Sequence, residues 1–344
     1  MKNIFKNKTI LITGGCGSIG VEIVKQLLIY GPKEIKIFDN WETGFFNIGL
    51  NPEINLDNIS NIIGDVRNKD ELDQNLKDVD IVFHAAALKH VPFCELNPFA
   101  AVNTNVIGTQ NLIQSCIKNN VKDLIYISTD KAINPINTMG ATKLLGEKII
   151  TNSNLQNKDN RYSVVRFGNV LNSVGSVIPI FFKQIKKGGP LTITSKEMTR
   201  FFMSMEDAVS LVIKASILMN GGEIFILKMK SVRIIDLAEV LIEELAPKYG
   251  FLPKDIKIDI IGVRPGEKLH EGLISEEEAL NCNDRGDLLV IENKREKTQL
   301  QRIIPDNYLS SNNEQKVKIN YNSNDPDSLT KEQIKAMLYD KKII

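Results

Sequence analysis

Short β-branched runs alternate with amphipathic stretches through the first half of the chain. Thr9 to Thr13, Glu34 to Phe38, Asn61 to Gly64, Ile81 to Ala85, Leu124 to Ser128 and Ser163 to Phe167 have the apolar density of buried strands. Helical patterns lie between them, including Asn97 to Lys118 and Thr138 to Thr151. This rhythm predicts an α/β fold whose parallel sheet carries helices on both faces. Beyond Asn169 the pattern turns irregular, with a helix near Ile178 to Lys187 and strands at Leu191 to Thr194, Glu223 to Leu227 and Lys257 to Ile261, which predicts a smaller C-terminal α/β lobe. Residues 1–172 are read as the nucleotide-binding domain and 173–300 as the substrate lobe, with strand exchange between them allowed. Arg302 to Ser328 is rich in Asn, Ser, Asp and Lys, predicting an extended or mobile connection before a final helix at Leu329 to Leu338.

Composition narrows the function classes. The 344 residues are 42% apolar and 25% charged, as in an ordinary globular protein. Lys and Arg total 43 against 42 Asp and Glu, so no net field draws the chain to nucleic acid or an anionic membrane. Cys16, Cys94, Cys116 and Cys282 form neither a CxxC pair nor a His-spaced set, which argues against zinc, any other metal, and a disulfide framework. The short basic start leads directly into a strand rather than a signal sequence, and no apolar run reaches the roughly 20 residues needed to cross a bilayer. A soluble cytoplasmic protein with reduced thiols is expected.

The stretch Thr13-Gly14-Gly15-Cys16-Gly17-Ser18-Ile19-Gly20 follows the first strand and opens a helical pattern. In that context glycines are more than a turn. Gly14 and Gly17 permit close backbone approach, while Ser18, Ile19 and Gly20 begin a helix whose amides can face a pyrophosphate. Asp39 lies about 20 residues onward, at the end of the second strand, where a carboxylate binds ribose hydroxyls. The predicted architecture is therefore a Rossmann-type doubly wound sheet binding NAD; Asp39 would repel a ribose phosphate, so NADP is disfavoured. Asp65 is read either as an acceptor for the adenine amino group or as a helix cap, with Val66 beside it. Ala85 and Ala86 are small enough to lie against a cofactor, and His84 reads as a packed core residue.

Ser128-Thr129-Asp130-Lys131, Met139 and Lys143 place an acid and amines beside this site. Pro135 provides the turn into a helix on which Met139 and Lys143, four apart, share a face. Met139 cannot accept a proton.

The motifs Thr13 to Gly20, His84 to Pro92, Ser128 to Lys143, Arg166-Phe167-Gly168-Asn169-Val170, Met198-Thr199-Arg200-Phe201 and Arg264-Pro265-Gly266-Glu267-Lys268 together resemble the nucleotide-sugar 4,6-dehydratases of the extended short-chain dehydrogenase/reductase family. The UDP-N-acetylglucosamine 4,6-dehydratases of the polysaccharide-biosynthesis group are the nearest match, over about residues 8 to 290. That family has Tyr or Met at the position of Met139, so this chain resembles the Met-bearing branch. Some members carry a long membrane region ahead of the catalytic part, and the resemblance here is to the soluble form. It also implies a homodimer or larger assembly paired through the helices at Asn97 to Lys118 and Thr138 to Thr151.

By this resemblance Lys131 is the base at C5 of the sugar and Asp130 the acid for the leaving C6 hydroxyl. Thr129 is a candidate for holding the C4 oxygen, and Lys143 for bonding the nicotinamide ribose. The base for the C4 hydroxyl is left open between Asp130 and water polarised by Lys143. Asn169, Arg200, Arg264 and Glu267 are implied in the UDP-sugar pocket, with Lys89 and His90 as further candidates on the sugar side. Two rivals stand beside the dehydratase: an NAD-dependent UDP-sugar 4-epimerase, and a non-catalytic NAD-sensing or scaffold protein suggested by Met139.

Overall fold

A computed structural model describes residues 3–155, 159–173, 175–292, 321–325 and 327–344. Most of the expected polar connection lies outside the described residues. The first half contains β1 (Thr9–Thr13), α1 (Ser18–Leu28), β2 (Glu34–Asp39), α2 (Glu42–Gly49), β3 (Ile59–Ile63), α3 (Lys69–Asn75), β4 (Ile81–His84), α4 (Val91–Leu96), α5 (Pro98–Val102), α6 (Gly108–Lys118), β5 (Asp123–Thr129) and α7 (Thr138–Ser153). The second half contains β6 (Arg161–Phe167), β7 (Asn169–Val170), α8 (Val177–Ile185), β8 (Leu191–Ile193), β9 (Thr199–Met203), α9 (Met205–Leu218), β10 (Ile224–Leu227), β11 (Ser231–Arg233), α10 (Ile234–Leu245), β12 (Ile258–Ile260), α11 (Glu276–Ala279), β13 (Cys282–Arg285), β14 (Leu288–Ile291) and α12 (Lys331–Asp340).

Nine strands form the main sheet in the order β13-β14-β10-β6-β5-β4-β1-β2-β3. Every pairing from β3 to β10 is parallel, and β14 and β13 close the edge antiparallel. Residues on both sheet faces are buried along β1 and most of β5, which explains their continuous apolar runs. The order reverses between β1 and β4, where the crossover helices leave on opposite faces and open a crevice at the strand ends. Register brings the chemistry to one rim. Thr13 sits opposite both Phe38 and His84, and Thr129 opposite Phe167, so the segments after β1, β2, β4, β5 and β6 emerge side by side.

The segment 224–227, read from the sequence as part of the smaller lobe, pairs with β6 in the main sheet. An apolar strand pattern identifies a strand but not its neighbour. The rest of the later chain builds a second core in which α8 and α10 pack Phe181, Ile185, Leu237 and Leu241, sealed by Ile334 and Leu338 of α12. Two small sheets, β11-β9-β7 and β12-β8, frame that core.

The expected helix at Asn97 to Lys118 is interrupted by a widened turn over Asn103–Ile107. Within it Asn105 is buried, accepts from the Leu88 N–H at 2.8 Å and donates to the Leu88 carbonyl at 3.0 Å and to the Thr142 hydroxyl at 3.0 Å. The local defect thus fixes the loop after β4.

His84 is fully buried between the hydroxyls of Thr13, at 2.7 Å from Nδ1, and Thr109, at 3.0 Å from Nε2. The Thr109 hydroxyl donates to the Asn105 carbonyl, so it accepts from Nε2–H and leaves Nδ1 to accept from Thr13. Burial pushes the imidazole down to about 3, with the nearby Lys143 charge adding to the effect. The unfolded chain therefore binds a proton at this residue before the folded protein does, and stability present above pH ~6.5 is lost as pH falls. Denaturant titration should show about 2 kcal/mol lost between pH 6.5 and 5. His84→Asn should remove most of that slope, and an unchanged slope would contradict this assignment.

Candidate active site

A cavity of about 940 Å3 opens at the carboxyl ends of the parallel strands. One wing is the loop after β1. Gly14 adopts φ +67°, and a Cβ there would lie 2.5 Å from the Ala86 nitrogen, so only glycine lets this loop pack on the end of β4. Gly17 caps α1 without a side-chain bond to its first amides, and Ser18, Ile19 and Gly20 continue the wall. Asp39 lies across the loop, accepting from the N–H groups of Cys16 and Trp41 at 3.0 Å each. An uncapped helix N-terminus, a glycine face and a braced carboxylate suit a dinucleotide: diphosphate on the amides, ribose hydroxyls on Asp39.

Val66, Ala85 and Ala86 line the same wing. Asp65 also reaches it, but its carboxylate is held by Arg67 and by Asn40 at 3.2 Å, and Arg67 keeps it below the usual carboxylate range. It is not the helix cap considered from the sequence. Asn68 caps α3 by accepting from the Asp70 and Glu71 N–H groups.

The opposite wing is built where β5 turns into α7. Gly140, in the first turn of α7, lies so close to the Lys131 carbonyl that a Cβ would come within 2.2 Å of it, so α7 can approach this turn only with glycine there. Asn137 accepts from the Gly140 N–H at 2.7 Å and Glu95 from the Thr138 N–H at 2.6 Å, fixing the start of the helix. Met139 and Lys143 consequently face the cavity together. Met139 is buried with Cys94 and Ala101. Lys143 donates to the Ile127 carbonyl at 2.5 Å and sits 3.9 Å over the Tyr126 ring. Burial brings its amine down to about 7, with Glu147 opposing.

Thr129 and Lys131 form part of the cavity wall, but Asp130 is fully buried behind them. Its Oδ1 accepts from the Thr129 hydroxyl at 2.9 Å and from Lys131 Nζ at 2.9 Å; its Oδ2 has no hydrogen-bond partner. Asp130 thus reaches the cavity through Thr129 and Lys131, its two hydrogen-bonded neighbours on the wall. Lys131 also donates to Asn169 Oδ1 at 3.4 Å and lies 3.7 Å from Glu271. Burial alone would lower the Lys131 amine, yet the carboxylates of Asp130 and Glu271 outweigh it and raise the group.

On the substrate side Lys89, His90, Asn169, Arg200, Arg264 and Glu267 all line the cavity. Arg200 departs from expectation. It is buried, and its terminal nitrogens donate to the carbonyls of Thr199, Lys268 and Leu269 at 2.7 to 3.0 Å, with Glu267 at 3.6 Å. It therefore braces the segment after Arg264 rather than presenting a free fork to phosphate. Arg264 is exposed at the rim. Burial lowers Lys89 and His90, the latter also through the neighbouring Lys89 charge.

Several wall residues were given no role from the sequence, Ser128 and Glu271 among them. Ser128 has a buried hydroxyl without a partner, and Glu271 a buried carboxylate. The only cue to Glu271 was its position three residues past the Arg264 to Lys268 motif.

The geometry has counterparts among known proteins. Residues 10–293 match the model of the family described as polysaccharide biosynthesis protein. An uncharacterized membrane protein of Methanocaldococcus jannaschii is 55% identical over 340 residues, spanning 98% of this chain and 97% of its own length. Among the described residues here, no helix is long and apolar enough to cross a membrane. A UDP-N-acetylglucosamine 4,6-dehydratase (inverting) of Campylobacter jejuni is 45% identical over 280 residues, 80% of each chain. A UDP-glucose 4-epimerase of Rickettsia bellii is 44% identical over 292 residues, 82% of each. The X-ray structure of Pen from Bacillus thuringiensis superposes with a TM-score of 0.88 at 38% identity, covering 98% of both chains.

Proposed function

The chain belongs to the polysaccharide biosynthesis protein family, and from that premise we propose that it is a lyase performing NAD-dependent 4,6-dehydration of a UDP-linked N-acetylhexosamine, with UDP-N-acetylglucosamine the first candidate, for surface glycan synthesis. The observation that carries this reading is the buried Asp130–Lys131 pair, whose amine opens into the same cavity as the glycine loop. Gly14, Gly17, Ser18, Asp39 and Lys143 would hold NAD, which supplies a hydride acceptor for C4 and a donor for C6. The Asp39 carboxylate would meet a ribose phosphate as a like charge, which supports NAD over NADP.

The protein's own groups then handle protons. Thr129 can receive the C4 hydroxyl proton while passing its own to Asp130 Oδ1, the contact it already makes at 2.9 Å. This relay supplies the base that Met139 cannot be. Once Asp130 is neutral, its hold on the Lys131 proton weakens. Lys131, having released that proton to solvent through its exposed face, removes the C5 proton that the new ketone has made acidic while Asp130 returns the C4 proton through Thr129 to the departing C6 oxygen; after giving the proton back to C5, Lys131 is recharged from solvent. Lys143, near neutrality, stands where a cation favours deprotonation of a bound hydroxyl. Lys89, His90, Asn169, Arg264 and Glu267 offer donors and acceptors for the sugar and diphosphate.

Epimerisation at C4 is the second reading, because a relative of nearly equal similarity bears that name. An epimerase needs no C5 base, however, and a buried ammonium–carboxylate pair is costly to keep without one. Proton NMR of the protein with UDP-N-acetylglucosamine should show a C6 methyl doublet; a C4 epimer without a methyl signal would overturn the proposal. In Lys131→Ala, methyl formation should fall by about 10² to 10⁴-fold while substrate still changes the near-ultraviolet absorbance of the cofactor. Methyl formation at the wild-type rate would remove Lys131 from its role. Phe93, Leu96 and Phe99 are exposed on α4 and α5 and support a homodimer, so sedimentation equilibrium should give twice the mass of one chain rather than the monomer mass.

A further inference from the structure

We propose that Glu271 is a positioning residue for Lys131, anchoring the amine beside Asp130 so that its lone pair points to the bound sugar; this assignment rests on the dehydratase reading above. An ammonium has three N–H groups, and three side-chain oxygens surround Lys131 Nζ: Asp130 Oδ1 at 2.9 Å, Asn169 Oδ1 at 3.4 Å and Glu271 Oε1 at an ion-pair distance of 3.7 Å. The amine that acts as base has only two. The carboxyl groups of Asp130 and Glu271 keep those two, and the lone pair takes the third direction, toward Asn169 on the cavity wall. With Asp130 as its single anchor, Nζ would turn about that contact and spend less time aimed at C5.

Glu271 is itself held in place by a distant part of the chain. Its side chain is only 3% exposed, and its backbone is clamped on both sides by Ser323, whose hydroxyl accepts its N–H and whose N–H donates to its carbonyl, each at 2.8 Å. Ser323 is fully buried and also bonds the Thr199 hydroxyl at 2.7 Å, which His270 Nδ1 meets at 2.8 Å. Tyr321 fixes the next turn of the path: its carbonyl accepts from the Leu273 N–H at 3.1 Å, and its ring stacks on Phe201 with centroids 5.1 Å apart. The family match ends at residue 293, so this brace comes from beyond it. A segment far along the chain thus reaches the base through one carboxylate.

Charge gives the position a second consequence. Asp130 and Glu271 both favour the charged form of Lys131, against burial and the nearby Arg200. Arg200 spends its terminal nitrogens on carbonyls, with Glu267 at 3.6 Å, and Lys268 donates to the Ile133 carbonyl at 2.5 Å while staying 3.9 Å from Glu271 Oε2. Burial raises the Glu271 carboxyl and Asp130 adds to this, while Lys131, Arg200 and Lys268 oppose it. Once Asp130 has taken the C4 proton, Glu271 is the charged carboxylate still within ion-pair distance of Lys131 among the described residues. A neutral side chain at 271 therefore disfavours the ammonium, and the amine forms at lower pH. Charge sets the pH at which the base appears, and the anchor sets how fast it works.

The experiment follows kcat for methyl formation across pH, because kcat reports groups in the bound complex. UDP-N-acetylglucosamine deuterated at C5 is the substrate, so that removal of that hydrogen is slowed. Glu271→Gln keeps an oxygen acceptor without the charge, and its rising limb should move to lower pH by about one unit. Glu271→Leu keeps neither; its limb should move likewise and its plateau should fall about tenfold, further than that of the Gln variant. A limb that stays at the wild-type pH in Glu271→Gln, or equal plateaus in the two variants, would overturn the assignment. Circular dichroism and thermal melting report folding. Where a variant does not fold, Glu271→Asp is read in its place: it withdraws the carboxylate by one methylene and must move the limb the same way by a smaller amount, an unmoved limb overturning the proposal. A wild-type protein that forms no methyl product at any pH would sink the dehydratase reading itself, and this assignment with it.

Discussion

A carboxylate with no exposed surface is tolerated only when a cation and hydrogen-bond donors compensate for lost water. Asp130 meets that condition through Lys131 and Thr129, each at 2.9 Å. Those two partners are also its only hydrogen-bonded routes to the cavity among the described residues, so stability and chemistry share the same contacts. Removing Lys131 leaves Asp130 as an unpaired buried charge, a loss of about 3 to 5 kcal/mol in comparable settings.

The fold places this pair by backbone proximity. Parallel strands ending in register set the loop after β1, the alanines after β4 and the turn after β5 along one rim. Gly14 lets the first two meet, and Gly140 lets α7 close on Lys131. A side chain at either position would push apart segments that meet along the cavity. The smaller lobe contributes from the other side: Arg200 on β9 holds the carbonyls of Lys268 and Leu269, and Ser323 clamps Glu271.

Much of this was legible in the order of residues. Strands β1, β4 and β5 were readable because they are buried on both faces and densely apolar, and the glycine loop because its spacing follows a strand and precedes a helix. Lys143 and Met139 were assigned a common helical face from their separation of four, and both line the cavity. What escaped depends on contacts between distant segments. No local pattern tells that Ile224 to Leu227 joins β6, that Asn105 holds Leu88, or that Arg200 is occupied by carbonyls nearly seventy positions away. Asp130 and Glu271 are both acidic residues near motif ends; only burial and partners distinguish a carboxyl that lies behind the wall from one that forms it.

The central claim is that one cavity oxidises C4, strips water across C5 and C6, and reduces C6 without releasing the sugar between steps. UDP-N-acetylglucosamine carrying deuterium at C4 tests this directly, with the product methyl group read by NMR and mass spectrometry. The account predicts a CH2D group whose label comes from C4 of the same molecule, even when unlabelled substrate is mixed in. A methyl group free of deuterium, label scrambled between molecules, or label retained at C4 of an epimer would contradict it.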